Sequence, residues 1–243
     1  MQNTYTKLNP TEQAYVKAYL EISKAFDRLT YKNIYIFDCI QRKIEYISNH
    51  RFFLHNHTPE EIIGMGEKFF HTFIKMEDQP IVSQANKAGF AFYAELPESE
   101  RKSYTLAYNF HLVDENQNTL LVNHRLTPLL ITNEGKIWKT LGMISLATNN
   151  SSGNITLTKD GDNSILKYDM EADQWIGHSK IVLSEREIQI LRFYAQGLTI
   201  NGIASVLNLS ADTIKFHRRN LLQKMEVNNI NKALAYATAR KLI

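Results

Sequence analysis

The stretch from Leu183 to Met225 most constrains how this chain can fold, because its helix signals follow one another at short, fixed intervals. Ser184 followed three residues later by Glu187 matches a capping box, in which a hydroxyl and a carboxylate satisfy free N–H groups of a first helical turn. Gly197 then ends that helix, since glycine adopts the left-handed C-terminal conformation at little cost. A second helix is predicted from about Ile200 to Leu207.

A third helix is predicted from Ala211 to about Met225, after a tight turn at Asn208–Ser210. Its apolar residues form one stripe, and its basic residues lie off that stripe, at Lys215, Arg218, Arg219 and Lys224. A helix of this kind fits the major groove of duplex DNA, where Arg and Lys pair with phosphates or guanine edges. An apolar side chain such as Phe216 can contact a thymine methyl there. The alternative is a solvated basic face on an ordinary helix.

Charge along the chain favours the DNA-binding interpretation. Residues 181–243 contain nine Lys and Arg against four Asp and Glu, a formal net charge of +5, whereas the whole chain has +3. Residues 1–180 are therefore slightly acidic, and the positive charge is concentrated in the last quarter of the chain. A polyanion is expected to bind there.

This last quarter resembles the LuxR-type helix-turn-helix domain of bacterial transcription regulators. The matching residues are Leu183-Ser184, Arg186-Glu187, Ile190-Leu191, Ala195, Gly197-Leu198-Thr199, Ile203-Ala204, Leu207, Leu209-Ser210, Thr213-Ile214-Lys215, His217 and Lys224-Met225. The resemblance implies an all-α, four-helix domain with a helix-turn-helix at Asn201–Asn220 and a short fourth helix at about Ile230–Arg240. It implies base-reading positions at Lys215, Phe216 and Arg219. It also implies backbone or supporting contacts from Thr213, His217, Arg218 and Asn220.

One position departs from the resemblance. Relatives usually have an acidic residue where this chain has Gly202, and that residue completes a capping box with the hydroxyl supplied here by Thr199. Without the carboxylate the reciprocal bond is lost, and glycine adds flexibility worth up to ~1 kcal/mol. We therefore expect a less rigid second helix.

Upstream, residues 33–149 show strand and helix signals in an α+β order. Two runs rich in Ile and Tyr, Asn33–Ile40 and Lys43–Ser48, predict a β-hairpin, and a longer helix is predicted from about Asp78 to Leu96 after several short ones. Three strands follow, at Ser103–Asp114, Thr119–Thr132 and Lys136–Asn149. The predicted fold is an antiparallel five-stranded sheet with flanking helices.

This order resembles a PAS domain over roughly Asn33 to Thr148. The residues that carry the resemblance are Asp38, Ile44–Ser48, Thr58–Gly64, Phe69-Phe70 and Glu77-Asp78. Because PAS domains resemble one another mainly as sensor and dimerisation modules, the resemblance implies such a module over residues 31–149.

The remaining segments flank this module. Residues 1–30 are predicted to form an N-terminal helix with one apolar seam, made of Tyr15, Tyr19, Ile22, Phe26 and Leu29. We expect this helix to lie on the sheet, with a dimer contact as a second possibility. Residues 150–180 are predicted to be a linker with a small hairpin, and residues 181–243 to be the DNA-binding domain.

A ligand site in the sheet is predicted at Asn109, His111 and His124. A four-residue turn at 115–118 pairs Val113 with Leu120, which makes His124 a same-face neighbour of His111 and places it opposite Asn109. The alternative is that these side chains hydrogen-bond locally or face solvent. No cofactor is indicated: the long helix lacks a histidine that could hold haem, His71 just before it is a weak candidate, and Cys39 is expected to be a small buried hydrophobe.

Composition limits the class of protein. With 243 residues and 44% hydrophobic residues the chain can fold into packed domains, and no apolar run approaches the length of a membrane helix. A polar N-terminus and a single cysteine favour a cytoplasmic protein. The sequence contains no known catalytic motif, so an enzyme is not expected.

Two functions remain open on the sequence alone. The first is a transcription regulator whose third C-terminal helix binds duplex DNA, controlled by a PAS-like domain that senses a small molecule or holds a homodimer. The second is a constitutive DNA binder whose PAS-like half is only a protein-interaction module. An open, specific cavity favours the first, and a cavity filled by side chains favours the second.

Overall fold

A computed structural model describes residues 10–30, 32–54, 57–66, 68–114, 116–148, 150–162, 164–179, 182–239 and 242–243. The chain divides into two compact units, Met1–Gly177 and His178–Ile243.

The first unit begins with helix α1, Pro10–Leu29, and the hairpin of β1, Asn33–Asp38, and β2, Lys43–Ile47. Helices follow, namely α2 (Arg51–Leu54), α3 (Pro59–Met65), α4 (Lys68–Phe73) and, after a 3-10 turn at Met76–Asp78, α5 (Gln79–Glu95) and α6 (Glu98–Arg101). The strands after them are β3 (Tyr104–Val113), β4 (Thr119–Ile131), β5 (Ile137–Leu146), β6 (Gly153–Lys159), β7 (Ser164–Asp169) and β8 (Gln174–Ser179).

The predicted α+β class is confirmed, but the predicted strand count is wrong. Within the described residues the sheet has eight strands, in the order β2-β1-β5-β4-β3-β6-β7-β8. The first five strands in this order are the predicted ones. The other three come from the stretch predicted as a linker, because β6 pairs antiparallel with β3 and continues the sheet. The hairpin predicted in that stretch is present as β6 and β7.

The register between β3 and β4 differs from the predicted one by a single residue. The side chain of Asp114 accepts hydrogen bonds from the backbone N–H groups of Asn116 and Asn118, and Val113 consequently pairs with Thr119 instead of Leu120. A slip of one residue moves every later side chain of a strand to the opposite face. His124 therefore pairs with Tyr108, not with Asn109.

The inner face of the sheet is aromatic and is covered by helices. Tyr35 of β1 and Tyr108 and Phe110 of β3 are buried there with Phe69 of α4 and Tyr93 of α5. Alternation along β3 puts these rings on one face and polar side chains on the other, as expected for a strand with one buried face. The α3 helix is fixed at its start by a capping box between Thr58 and Glu61.

Helix α1 lies on the other face of the sheet, as predicted, but the residue of its predicted seam that contacts the sheet is Tyr19, while most of the seam is exposed. The Tyr19 hydroxyl donates to a carboxylate oxygen of Glu45 on β2 at 2.6 Å, and Ser23 is buried on the same side. In contrast, Tyr15, Ile22 and Leu29 are 64%, 69% and 81% exposed. The helix thus contacts the sheet with a more polar face and leaves an apolar stripe in solvent.

The described part of the second unit has four helices, as predicted: α7 (Glu185–Ala195), α8 (Ile200–Leu207), α9 (Ala211–Lys224) and α10 (Ile230–Ala239). The capping box at Ser184 is confirmed, and Ser210 caps α9 through the backbone N–H of Thr213. At α8 the Thr199 hydroxyl still accepts from the N–H of Gly202, so one half of the usual box is present. The helices enclose a core that includes Ile190, Leu191, Ile203, Ile214 and Leu221.

Candidate nucleic-acid interface and sensor cavity

Helix α9 has one buried face and one solvent face. Ile214, Leu221 and the adjoining Met225 are buried in the core of the second unit. Lys215, Phe216 and Arg219, predicted to read bases, are all exposed. The predicted supporting residues Thr213, His217, Arg218 and Asn220 are half-buried. The structure therefore places the predicted reading residues together on the accessible face of the helix.

Phe216 and Arg219 form a local pair on this face. The Arg219 guanidinium carbon lies 5.7 Å from the centroid of the Phe216 ring, and the ring is 50% exposed. A cation over an aromatic face restrains both side chains. Lys215 is bound only loosely, at 3.0 Å from Asp212 one turn earlier, and both partners are exposed. An exposed pair of this kind contributes little to stability, so Lys215 can exchange its carboxylate for a phosphate or a base at low cost.

Lys224 has a different role from the other basic residues of α9. Its ammonium lies 2.8 Å from the carboxylate of Glu187 on α7, and Glu187 is buried. Burial alone would raise the pKa of Glu187, but hydrogen bonds from Lys224 and from Ser184 outweigh it and hold the pKa below its usual value. Lys224 therefore ties α9 to α7, while the same carboxylate completes the cap of α7.

The first unit contains a cavity of about 1020 Å³ between the inner face of the sheet and helices α4 and α5. Its deep part is aromatic, with Tyr35, Phe70, Tyr108 and Phe110 in the lining. Its charged lining residues Arg42, Lys87, Glu134 and Lys136 are exposed, and Arg101 is held by the backbone oxygens of Leu96, Ala94 and Gly135. The volume and the largely apolar lining are typical of small-molecule sites.

His124 is the buried polar residue at the centre of this lining. Its side chain is 3% exposed and its Nε2 atom lies 2.6 Å from the Tyr35 hydroxyl, with the two rings stacked at a centroid distance of 5.7 Å. Burial lowers the pKa of His124 to about 3, so the imidazole is neutral. No described residue hydrogen-bonds its Nδ1 atom.

Further uncharged polar groups line the cavity. The Tyr108 hydroxyl donates to the side-chain oxygen of Asn86 on α5 at 2.9 Å. Cys39 lies beyond β1, and burial raises the pKa of its thiol to about 11, so the thiol stays protonated. These groups can offer hydrogen bonds to a ligand but no charge. Tyr35, Tyr108 and Asn86 were not predicted as site residues, and the run of aromatic residues alternating along β3 was the signal that could have found them.

The predicted ligand residues do not come together. Asn109 accepts from the Asn123 amide and donates to the backbone of Ser151, and His111 lies 2.7 Å from Asp78 through its Nδ1 atom. Neither residue lines the cavity, since the one-residue shift in register puts both on the face opposite His124. Of the three, only His124 lines the cavity. His71, the weak haem candidate, lines it as an exposed side chain.

Residues 181–237 match the family described as Bacterial regulatory proteins, luxR family. The C-terminal unit is a luxR-family domain. NarP of Escherichia coli K12, a nitrate/nitrite response regulator protein, is 54% identical over 48 residues, which are 20% of this chain and 22% of NarP. The chain thus aligns with less than a third of this relative's length.

Solved structures similar to this chain include the VqmA dimer of Vibrio cholerae, described as a LuxR-type receptor, at 15% identity and a TM-score of 0.37. That match covers 90% of this chain and 86% of VqmA. A PAS domain from Colwellia psychrerythraea is similar at 15% identity and a TM-score of 0.39, with 54% of this chain and 97% of that domain covered.

Two kinds of feature are absent from the described residues. In those ranges, no helix combines the length and the apolar character that a membrane crossing requires. The same residues contain no group of three or more His, Cys, Asp or Glu side chains that could hold a metal ion.

Proposed function

We propose that this protein is a transcription regulator that binds specific duplex DNA through α9 and is controlled by a small molecule in the cavity of its first unit. The observation that carries the proposal is the solvent face of α9, where Lys215, Phe216 and Arg219 lie together in a luxR-family domain. Arg and Lys are the side chains that most often bind guanine edges in the major groove.

Within the reading face the side chains have separate roles. Lys215 and Arg219 hydrogen-bond base edges, and Phe216 contacts a thymine methyl while it holds Arg219 in place. Thr213, His217, Arg218 and Asn220 lie beside them and bind the phosphate backbone or support the readers. The hydroxyl cap of Ser210 fixes the first turn of α9, which is the turn that enters the groove first.

Ligand control is supported by the open cavity. A cavity of about 1020 Å³ with an aromatic deep part gives a small molecule room to bind. A ligand that binds one arrangement of this unit more tightly would shift the population toward that arrangement. The second function left open by the sequence, a sensor half that is only an interaction module, is disfavoured because described side chains do not fill this space.

A second copy of the chain is the partner we propose for the exposed stripe of α1. Tyr15, Ala18, Ile22, Ala25 and Leu29 recur at steps of three, four, three and four, which is the spacing of two helices packed along a common seam. The alanines allow close approach, and Ile22 and Leu29 supply apolar area. A homodimer also presents two reading helices at a fixed spacing, as paired DNA half-sites require.

The DNA-binding proposal is tested on a duplex selected by the full-length protein from a random pool. Lys215→Ala and Arg219→Ala should each weaken binding by roughly 1–3 kcal/mol, as measured by fluorescence anisotropy. Lys232→Ala on α10 removes the same charge from the same unit and is the matched control. Equal affinities for all three variants and the wild type would exclude α9 as the reading helix.

The dimer proposal has its own test. Ile22→Glu places a charge in the stripe and should convert the protein to a monomer in light scattering coupled to size exclusion. Lys17→Glu changes charge on the same helix away from the stripe and should leave the dimer intact. A dimer that survives Ile22→Glu would place the interface elsewhere.

A further inference from the structure

The cavity of the first unit has two unlike walls. The sheet and α4 contribute aromatic rings, whereas one turn of α5 contributes the polar side chains of Ser83, Asn86 and Lys87. Residues three and four apart on a helix are neighbours on one face, so these three side chains, the α5 cluster, lie side by side. Ser83 and Lys87 are exposed and Asn86 is partly exposed, which places the α5 cluster at the mouth of the cavity.

The α5 cluster consists of hydrogen-bond donors. The side-chain oxygen of Asn86 accepts from the Tyr108 hydroxyl at 2.9 Å, and this bond leaves the amide nitrogen with its two N–H groups to donate elsewhere. The Ser83 hydroxyl can donate as well, and the Lys87 ammonium offers three N–H groups together with a positive charge. Donors that include a cation suit an acceptor that carries negative charge, such as a carboxylate.

The charges in the cavity lining are mostly of one sign. Among the described lining residues four are cationic and one is acidic: Arg42, Lys87, Arg101, Lys136 and the acid Glu134. The carboxylate of Glu134 is already paired with Lys136 at 3.0 Å. Because residues 1–180 are slightly acidic overall, this positive excess is a local feature of the lining. A cleft lined by one sign of charge concentrates ligands of the opposite sign.

The deep wall suits an apolar ring and not a charge. Tyr35 and Phe110 are almost fully buried there, and Phe70 packs against Tyr35 at a centroid distance of 5.5 Å. An anion that entered this part would lose its hydration without gaining a partner. At the α5 cluster an anion stays in contact with water while it gains charge-assisted hydrogen bonds. The cavity thus offers separate places for a ring and for a negative charge.

We infer that the cavity takes a small aromatic carboxylic acid, whose carboxylate binds the α5 cluster and whose ring packs against the deep aromatic wall. This ligand class rests on the proposed ligand control, which it makes more specific. Lys87 supplies the charge, and Ser83 and Asn86 supply hydrogen bonds that orient the carboxylate. Asn86 and Lys87 are specificity-determining residues, because they favour an anion over a neutral or cationic ligand of the same shape.

Three probes with one ring system and different end groups test this chemistry. At neutral pH indole-3-acetate is an anion, indole-3-acetamide is uncharged and tryptamine is a cation. Their dissociation constants are measured on the full-length protein by isothermal titration calorimetry. Indole-3-acetate should bind about tenfold more tightly than indole-3-acetamide, because hydrogen bonds to a charged group are roughly twice as strong as neutral ones. Tryptamine should bind more weakly than either.

Substitutions in the α5 cluster test its role directly. Asn86→Asp keeps the size of the side chain and an acceptor for Tyr108 but adds a negative charge, so it should weaken indole-3-acetate at least about tenfold and strengthen tryptamine. Lys87→Met removes an exposed cation and should make indole-3-acetate and indole-3-acetamide bind with similar affinity. Lys102→Met removes an exposed lysine that does not line the cavity and is the matched control. Each variant must show the far-UV circular dichroism of the wild type, and Lys87→Met keeps the test decisive if Asn86→Asp does not fold.

The outcomes separate this ligand class from ligand control in general. Equal binding of the acid and the amide to the wild type, or a preference for the acid that survives Lys87→Met, would overturn the carboxylate site. An equal loss of that preference in Lys102→Met, or no binding of any probe, would overturn it as well. Ligand control is measured independently, as a small molecule retained by the full-length protein in native mass spectrometry. DNA binding through α9 is measured with Lys215→Ala and depends on neither result.

Discussion

Two lysine–carboxylate pairs illustrate how differently the two units use charge. In the sheet, the Lys139 ammonium is bonded to Asp38 and lies 2.7 Å from Glu45, and the side chains of Lys139 and Asp38 are 2% and 0% exposed. On α9, Lys215 lies 3.0 Å from Asp212, and these side chains are 61% and 88% exposed. The first pair stabilises the fold, because neither side chain can reorient into solvent. The second pair is exposed and can be replaced, which is consistent with the proposed contact of Lys215 with DNA.

The same contrast applies to the two functional regions. In the proposed function the solvent face of α9 acts through exposed charge, which salt screens and a polyanion attracts. The proposed ligand cavity instead has a buried aromatic lining with uncharged polar groups, where the local dielectric is low and an unmade hydrogen bond is costly. Substitutions in the first region should change DNA binding and leave folding intact, whereas substitutions near the second should affect folding and ligand binding together.

Removing the buried lysine should give the largest effect. Lys139→Met keeps the length of the side chain but leaves Asp38 buried without its cation, and we expect a loss of about 3–5 kcal/mol in the free energy of unfolding. Lys215→Met, the matched change on α9, should alter it by less than about 0.5 kcal/mol. Urea denaturation of both variants measures the difference. Similar losses in the two variants would show that the contrast between the pairs is wrong.

The next largest effect should come from the salt concentration, which should weaken DNA binding to α9 much more than ligand binding to the cavity. If binding to DNA neutralises about three phosphates, raising the salt from about 50 to about 200 mM should weaken it roughly 40-fold. Binding of an uncharged aromatic molecule, such as acetophenone, to the cavity should change less than about twofold over that range, because no charge is neutralised there. Arg218→Gln should reduce the slope of log K against log salt by about one, because Arg218 is the cation proposed to lie beside the phosphate backbone. An unchanged slope would place Arg218 away from the phosphates.

Lowering the pH should destabilise the folded protein because of His124 in the cavity lining. The pKa of His124 is about 3 in the folded state against about 6.5 when unfolded, so between these values the unfolded chain binds one more proton. The contribution of neutral His124 is therefore fully present above pH 6.5 and is lost as the pH falls, by up to about 1.4 kcal/mol per pH unit. We expect the free energy of unfolding to drop by about 2 kcal/mol between pH 7 and pH 5 on account of this residue.

His124→Phe isolates that contribution, since it removes the titrating group and keeps a ring in place. Its loss of stability between pH 7 and pH 5 should be smaller than that of the wild type, whereas His71→Gln, which changes an exposed histidine, should behave like the wild type. Parallel curves for wild type and His124→Phe would mean that His124 is solvated or charged in the folded protein.

How well the sequence predicts the structure depends on how far apart in the chain the interacting residues lie. In the second unit the first three helices each begin at a hydroxyl that accepts from the N–H three residues later, Ser184 from Glu187, Thr199 from Gly202 and Ser210 from Thr213. Such signals can be read locally, whereas the fourth helix was predicted from the luxR-type resemblance. The exposure of the reading face followed from the same periodicity.

In the first unit the decisive determinants are not local. The Asp114 side chain draws Asp114 itself into the turn between β3 and β4, which is one residue longer than predicted, and this difference moves His124 to the cavity face and keeps Asn109 and His111 off it. The sequence predicts a turn there but not its length. Likewise, the hairpin of β6 and β7 was predicted, but its addition to the sheet depends on pairing of Leu157 with Leu106, some fifty residues earlier.

The smallest predicted effect concerns Gly202, where the luxR-type domain lacks half of a cap. A Cβ atom at this position would meet its nearest neighbour, the Thr199 hydroxyl, at 3.5 Å, which is an ordinary contact. In Gly202→Glu the new carboxylate can accept from the Thr199 N–H, as Glu187 does from Ser184, and helix α8 loses a flexible residue. We expect a gain of about 0.5–1 kcal/mol in the free energy of unfolding by thermal denaturation, and Gly202→Ala should give only the part that comes from helix propensity.

If Gly202→Glu stabilises the protein no more than Gly202→Ala, the reciprocal bond does not form. Because α8 supports α9 through the core and not through charge, DNA affinity at low salt should stay within a few-fold of the wild type.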